Sequence, residues 1–283
     1  VLLVWNANNT YGFDRVPWPR LREVAAITTV SRWMRQILAH HGCQAVVVPN
    51  GIASRLLERE AEIAAAAARL RAEVGPEPLL VKVARWTPEK RWPLAVEALA
   101  TLRAHGVAAR LVAACARADG RLAQLAAPFG LRVVPVTLPT GSPAALGALL
   151  AEAASAAEIV SLRGHLAEEQ LFPLYRAADA VIANSAFEPF GMVGLETMAA
   201  GGVAITGATG EEYARPFENA LVLESDDPRE LEVAIAELLA HPDDAERLRQ
   251  AGRATAARYT WDRILDLLLR RLRYFTLTQG GAP

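Results

Sequence analysis

Glu188 and Glu196 stand eight positions apart and bracket the segment Pro189-Phe190-Gly191-Met192-Val193-Gly194-Leu195. Just upstream, Ala180-Val181-Ile182-Ala183 reads as a buried strand, and the glycine-bearing segment reads as a loop running into a helix. A helix start offers unpaired backbone N–H groups and the positive end of the dipole, so a strand, a loop and a helix in that order make a pocket for an anion. Carboxylates are poor phosphate ligands but good acceptors for sugar hydroxyls. Two acids beside an anion pocket therefore point to a phosphate-bearing sugar, which means a nucleotide sugar. A second group carries the opposite charge. Of 30 lysines plus arginines only Lys82 and Lys90 are lysines, so an amine that persists against this bias is a candidate for a specific task. Arg85 follows the apolar strand Leu79–Ala84, and Lys90 opens the next helix. Ligands of open parallel sheets bind beyond the carboxyl ends of strands. Arginine offers a planar fork to phosphate oxygens and lysine a point charge. Lys82 reads as a strand-end surface residue, His165 as a surface loop residue, and Asn6, Asn8 and Asn9 as turn formers. Phe187 and Phe190 read as pocket walls or core.

Short apolar runs alternate with helical periodicity along the whole chain, which is the pattern of an α/β fold. Strands are expected at 1–5, 26–30 and 45–48, with Ser31 capping a helix over 32–40. Residues 1–51 then form the C-terminal portion of one Rossmann-like domain. Residues 52–76 form a linker helix broken by Gly75-Pro76. Residues 77–260 form a doubly wound parallel sheet with strands at 79–84, 109–114, 131–136, 159–162, 180–183, 202–206 and 221–223. Residues 261–283 form a last amphipathic helix and a loose tail. Val1-Leu2-Leu3-Val4-Trp5 opens inside an apolar run with no Met before it, so the chain is expected to be a fragment of a longer protein.

Composition narrows the function classes. The 283 residues are 52% hydrophobic, ample for a sizeable core, and the net charge of −1 gives no reason to expect nucleic acid as a partner. Cys43 and Cys115 are the only cysteines and lack metal-type spacing, and the five histidines are dispersed, so no metal site is expected. No transmembrane run or signal peptide is visible, and a cytoplasmic setting follows as the default expectation.

These motifs, in this order, resemble the retaining glycosyltransferases of group 1 (family 4), which have the two-domain GT-B fold. Glu188 to Glu196 resembles that family's E-x7-E motif, Arg85 and Lys90 its phosphate pair, and Pro49-Asn50-Gly51 the hinge between its two domains. The resemblance implies a Rossmann-like donor domain plus part of a second, acceptor-side domain. It implies transfer of a sugar from a nucleotide-diphosphate sugar to an unknown acceptor hydroxyl, with retention and without a metal or other cofactor. Glu188 would contact the donor sugar and Glu196 the ribose hydroxyls. Phe190 would wall the pocket, and the amides of Gly191, Met192 and Val193 would meet the sugar or distal phosphate. Arg85 and Lys90 would neutralise the departing diphosphate, with Glu188 beside the reacting carbon. Arg163, Gly164 and His165 would touch the base. The acceptor side, with any peripheral membrane contact, would belong to an N-terminal region preceding residue 1. Departures from the pattern include Ala84 and Arg91 where glycine is usual. A nucleotide-sugar epimerase or a phosphorylase on the same fold, and a binding module without turnover, remain as alternatives.

Overall fold

The computed structural model describes residues 3–115, 120–138 and 145–279. Its smaller sheet runs β1 (Val4–Ala7), β2 (Ala26–Thr29), β3 (Ala45–Val47), in that spatial order. The larger comprises β4 (Leu79–Val83), β5 (Arg110–Ala114), β6 (Val133–Thr137), β7 (Ile159–Arg163), β8 (Ala180–Ala183), β9 (Ala204–Thr206) and β10 (Leu221–Val222). Their order across the sheet is β10-β9-β8-β4-β5-β7-β6. Every pairing in both sheets is parallel.

Strand β4 sits in the middle and creates the site. The chain leaves β4 toward β5, and after β7 it crosses back to β8 on the other flank of β4. Connections that diverge from two adjacent strands leave a crevice at their carboxyl ends, the topological switch point of an open sheet. The crevice here lies between the segments that follow Val83 and Ala183.

Alternation along β4 divides the core. Leu79 and Val81 join an apolar cluster that includes Leu174, Leu195 and Met198, whereas Leu80 faces Trp92, Leu99 and Ile235 on the other side. Lys82 belongs to the second face. It is only 1% exposed, which corrects the surface position expected from its place near the strand end. The strand continues to Val83, and the indole of Trp92 covers the lysine with its ring centroid 5.3 Å from Nζ.

Other boundaries shift for local reasons. The first strand runs on through Asn6 and Ala7, because these pair with Thr28 and Thr29; Val1 and Leu2 of the expected strand lie outside the described residues. The helix expected from residue 52 forms as Arg55–Glu58 and Glu60–Val74, separated at Arg59 (φ −85°, ψ 21°), and the longer piece packs on helices Ala145–Ala156 and Glu168–Ala177. The last helix runs Trp261–Gln279, and tail residues 280–283 lie outside the described residues.

Hydrogen bonds join the small sheet's body to the large one. The Glu212 carboxylate accepts from the N–H groups of Arg32 and Trp33 (3.0 Å for Trp33), at the start of helix Arg32–His40. That start is also capped by Ser31 Oγ, 3.1 Å from Met34 N. Ile52 N–H donates to Tyr259 O (2.8 Å), and Trp261 N–H donates back to Ile52 O (2.9 Å). Arg253 fastens the linker region to the large body, donating to Leu57 O (2.6 Å) and Ala199 O (2.9 Å) and pairing with Glu60 at 2.9 Å. We expect Arg253→Ala to cost about 2 kcal/mol of unfolding free energy, read from denaturant melts, because two carbonyls lose a charged donor.

Candidate active site in the crevice after β4 and β8

The loop after β4 ends in the short turn Pro88–Lys90, and Arg91 then adopts φ 48° before helix Trp92–Ala104 begins. That left-handed backbone is one glycine takes without cost, so the position keeps its conformation although the residue is arginine. The Arg91 side chain is committed elsewhere, paired with Asp226. Lys90 is turned inward. Its amine pairs with the Glu188 carboxylate and donates to Ser185 Oγ at 3.1 Å, while Ala186 N–H donates to Glu89 O at 2.8 Å. The cationic loop and the acidic loop therefore dock on each other.

The acidic loop is held from behind by the segment after β9. Glu188 N–H donates to Thr209 Oγ1 (2.9 Å), and Gly210 N–H donates to Glu188 O (2.8 Å). Beyond Pro189 the chain turns at Gly191 (φ +80°) into helix Met192–Ala200. Any Cβ at Gly191 would strike the Glu211 side chain and lie 3.0 Å from the Tyr213 hydroxyl, so glycine serves both conformation and close approach. Tyr213 Oη–H donates to Gly191 O, and its ring packs against Phe190 at 5.5 Å between centroids.

These elements enclose a cavity of about 230 Å³. Lys90, Glu188, Phe190, Gly191, Met192 and Val193 line it, which brings one half of the expected site together. Arg85 is exposed and does not line the cavity; its carbonyl accepts from Trp92 Nε1 at 3.0 Å. Glu196 lies farther along the helix, half-buried and outside the cavity lining. Burial pushes its carboxyl up to about 7, with the nearby Glu168 carboxylate adding to the rise. Arg163, Gly164 and His165 are exposed at the end of β7, on the β6 side of the sheet and outside the cavity.

The cavity also contains groups that the motif reading missed. Lys82 forms part of its floor, donating to Asn184 Oδ1 and, at 3.4 Å, to Ile182 O. Burial, with the charges of Lys90 and Arg91 adding to it, lowers its amine to about 7. Glu211 and Tyr213 form a wall, and Asn8 and Asn50 reach in from the small sheet's side. The signal for Glu211 was present: an acid directly after Gly207-Ala208-Thr209-Gly210, itself directly after a strand. For Lys82 the retained amine is visible in the sequence, but its burial cannot be read from one strand alone.

A helix start, a paired lysine and an acid around one small cavity can hold a phosphate and a polyhydroxylated ring side by side. The known proteins similar to this chain agree with such chemistry. The family described as Glycosyl transferases group 1 matches residues 66–255. The D-inositol 3-phosphate glycosyltransferase of Thermobispora bispora is 32% identical over 128 residues, 44% of this chain and 30% of that protein. Its counterpart from Geodermatophilus obscurus is 29% identical over 244 residues, 83% of this chain and 49% of that protein. The chain thus spans about half or less of these relatives' lengths. The crystal structure of Anabaena HepE in complex with UDP-glucose superposes with a TM-score of 0.70 over 96% of this chain and 72% of that one, at 17% identity. The fold is the GT-B type expected from the sequence. With two thirds of its length inside the family match, this chain belongs to the group 1 glycosyl transferases.

Proposed function

We propose that the chain carries the donor site of a retaining, metal-independent glycosyltransferase of family 4, which moves a sugar from a nucleotide-diphosphate sugar to an acceptor hydroxyl. One observation carries this reading: Lys90, Glu188 and the helix start at Gly191 meet around a single cavity at the switch point. As the bond from the sugar to the diphosphate breaks, negative charge grows on the phosphate oxygens. Lys90 and the amides at the start of helix Met192–Ala200 stand where that charge develops, and preorganised donors of this kind lower the barrier. Glu188, held in place by Lys90 and Ser185, accepts hydroxyls of the donor sugar. Arg85 is free to turn toward the outer phosphate, and Glu196 takes the ribose hydroxyls. The acceptor and its contacts lie outside this assignment. HepE binds UDP-glucose, which makes a uridine donor the first to try.

Calorimetric titration with UDP-, GDP- and ADP-sugars, with product anomers followed by proton NMR, tests the reading. Binding with transfer and retention supports it. Binding without release of sugar from any donor would identify this chain as a nucleotide-sugar module instead. Glu196→Ala is expected to weaken donor affinity about tenfold, the scale of one or two lost hydrogen bonds. Its effect on the free sugar phosphate should be small, since Glu196 stands away from the cavity.

A further inference from the structure

Glu211 is the strangest residue of the crevice. It is 5% exposed, yet its Oε1 has no hydrogen-bond partner among the described residues, and it lines the cavity beside Gly191. Its other oxygen lies 3.3 Å from Thr209 Oγ1. A buried carboxylate with one oxygen unsatisfied is costly, and no cation among the described residues pairs with it. Resting on the donor-site reading above, we propose that Glu211 is a further donor-binding residue that grips an anionic phosphoryl oxygen as an uncharged carboxylic acid, donating its O–H.

The surroundings fit that role. The glycine at position 191 is shaped around Glu211, so the acid stands against the helix start where an anion would bind. Tyr213 is committed to Gly191 O and leaves the orphan oxygen for the ligand. The charged and titratable groups around Glu211 are Glu188 with its partner Lys90, Lys82 on the floor, and Tyr213. Glu196 lies farther along the helix, and Glu212 is turned away to Arg32 and Trp33. Of the two acids lining the cavity, Glu188 faces an amine and Glu211 does not. Burial raises the Glu211 carboxyl to about 8, and the Glu188 carboxylate adds to the rise. The two acids would thus act as opposites, Glu188 accepting from hydroxyls and Glu211 donating to phosphate.

Calorimetric titration of UDP from pH 6.5 to 9.5 into wild type, Glu211→Gln and Glu211→Ala tests this. Glutamine keeps a donor and cannot ionise. At pH 6.5 it should bind UDP within a few-fold of wild type, while alanine should be weaker. Above pH 8 the ratio of the wild-type Kd to the glutamine Kd should rise by about tenfold per pH unit. Lys82 is present in all three proteins and cancels in the ratio. In melts without ligand, the glutamine variant's advantage over wild type should grow from pH 5 to pH 8. A raised pKa makes the folded form favoured below the unfolded pKa, and that advantage is lost as pH rises through the folded value. A ratio that stays flat, a glutamine variant that fails to bind UDP at pH 6.5, or parallel melts overturn the inference while wild-type binding keeps the donor site. No UDP, GDP or ADP binding by wild type at any pH overturns the donor site and this inference together.

Discussion

Lys90→Ala should lower kcat/KM for donor turnover by about 10²–10³-fold, and donor affinity in equilibrium titrations should fall with it. Two losses combine. The leaving phosphate loses a cation held at the cavity wall, and Glu188, whose carboxylate pairs with that amine, is left facing the ligand's negative charge. The second loss makes alanine worse than a simple deletion of attraction, because it exposes the diphosphate to an unscreened acid. Lys90→Arg should recover only part. A planar fork cannot reproduce a point charge that meets Ser185 Oγ and Glu188 together. Ionic strength separates this effect from misfolding. Wild-type affinity should fall as salt rises, and the alanine variant's should fall less steeply. Equal slopes for the two proteins would remove Lys90 from the phosphate site.

Gly210→Ala is expected to be nearly as severe, although residue 210 touches no expected ligand. A Cβ there would fall on the carbonyl oxygens of both Glu188 and Pro189. Those are backbone atoms, so no side chain can swing aside. Either the acidic loop moves or the segment after β9 does, and the bond from Gly210 N–H to Glu188 O is strained in both cases. Overpacking of this kind costs about 1–3 kcal/mol in stability. The catalytic cost should be larger, since a displacement near 1 Å at a reacting group can cost about 10²-fold. Thermal melting and donor turnover, measured on the same preparation, distinguish the two. A variant that melts lower yet turns over donor as fast as wild type would show that Glu188 is positioned from elsewhere.

Much of the architecture was legible because it rests on local chemistry. Helices Trp92–Ala104 and Pro228–Ala240 each carry a proline in the first turn, and strand Ala180–Ala183 forms with the ends expected of it. Prolines near the first turn and continuous apolar strands mark such elements directly. The cavity was only half legible. Lys90, Glu188 and the turn at Gly191 are neighbours in motifs, but Lys82 reaches the same space from β4, and Glu211 and Tyr213 reach it from the segment after β9. Their meeting depends on which strand lies beside β4, and periodicity within one strand carries no record of that. Lys82 shows the limit most plainly. Its type marked it as unusual, while its burial follows from Trp92 folding back across the sheet from the next helix.

Phe187 stands edge-on to Trp33 of the small sheet's body, 4.4 Å between ring centres, one residue before the acid that faces the cavity. The adjoining loop reaches the same body through Glu212. Two halves of the molecule thus share a mechanical linkage that passes within one peptide of Glu188. The position of the Glu188 carboxylate is therefore tied to the way the two halves meet.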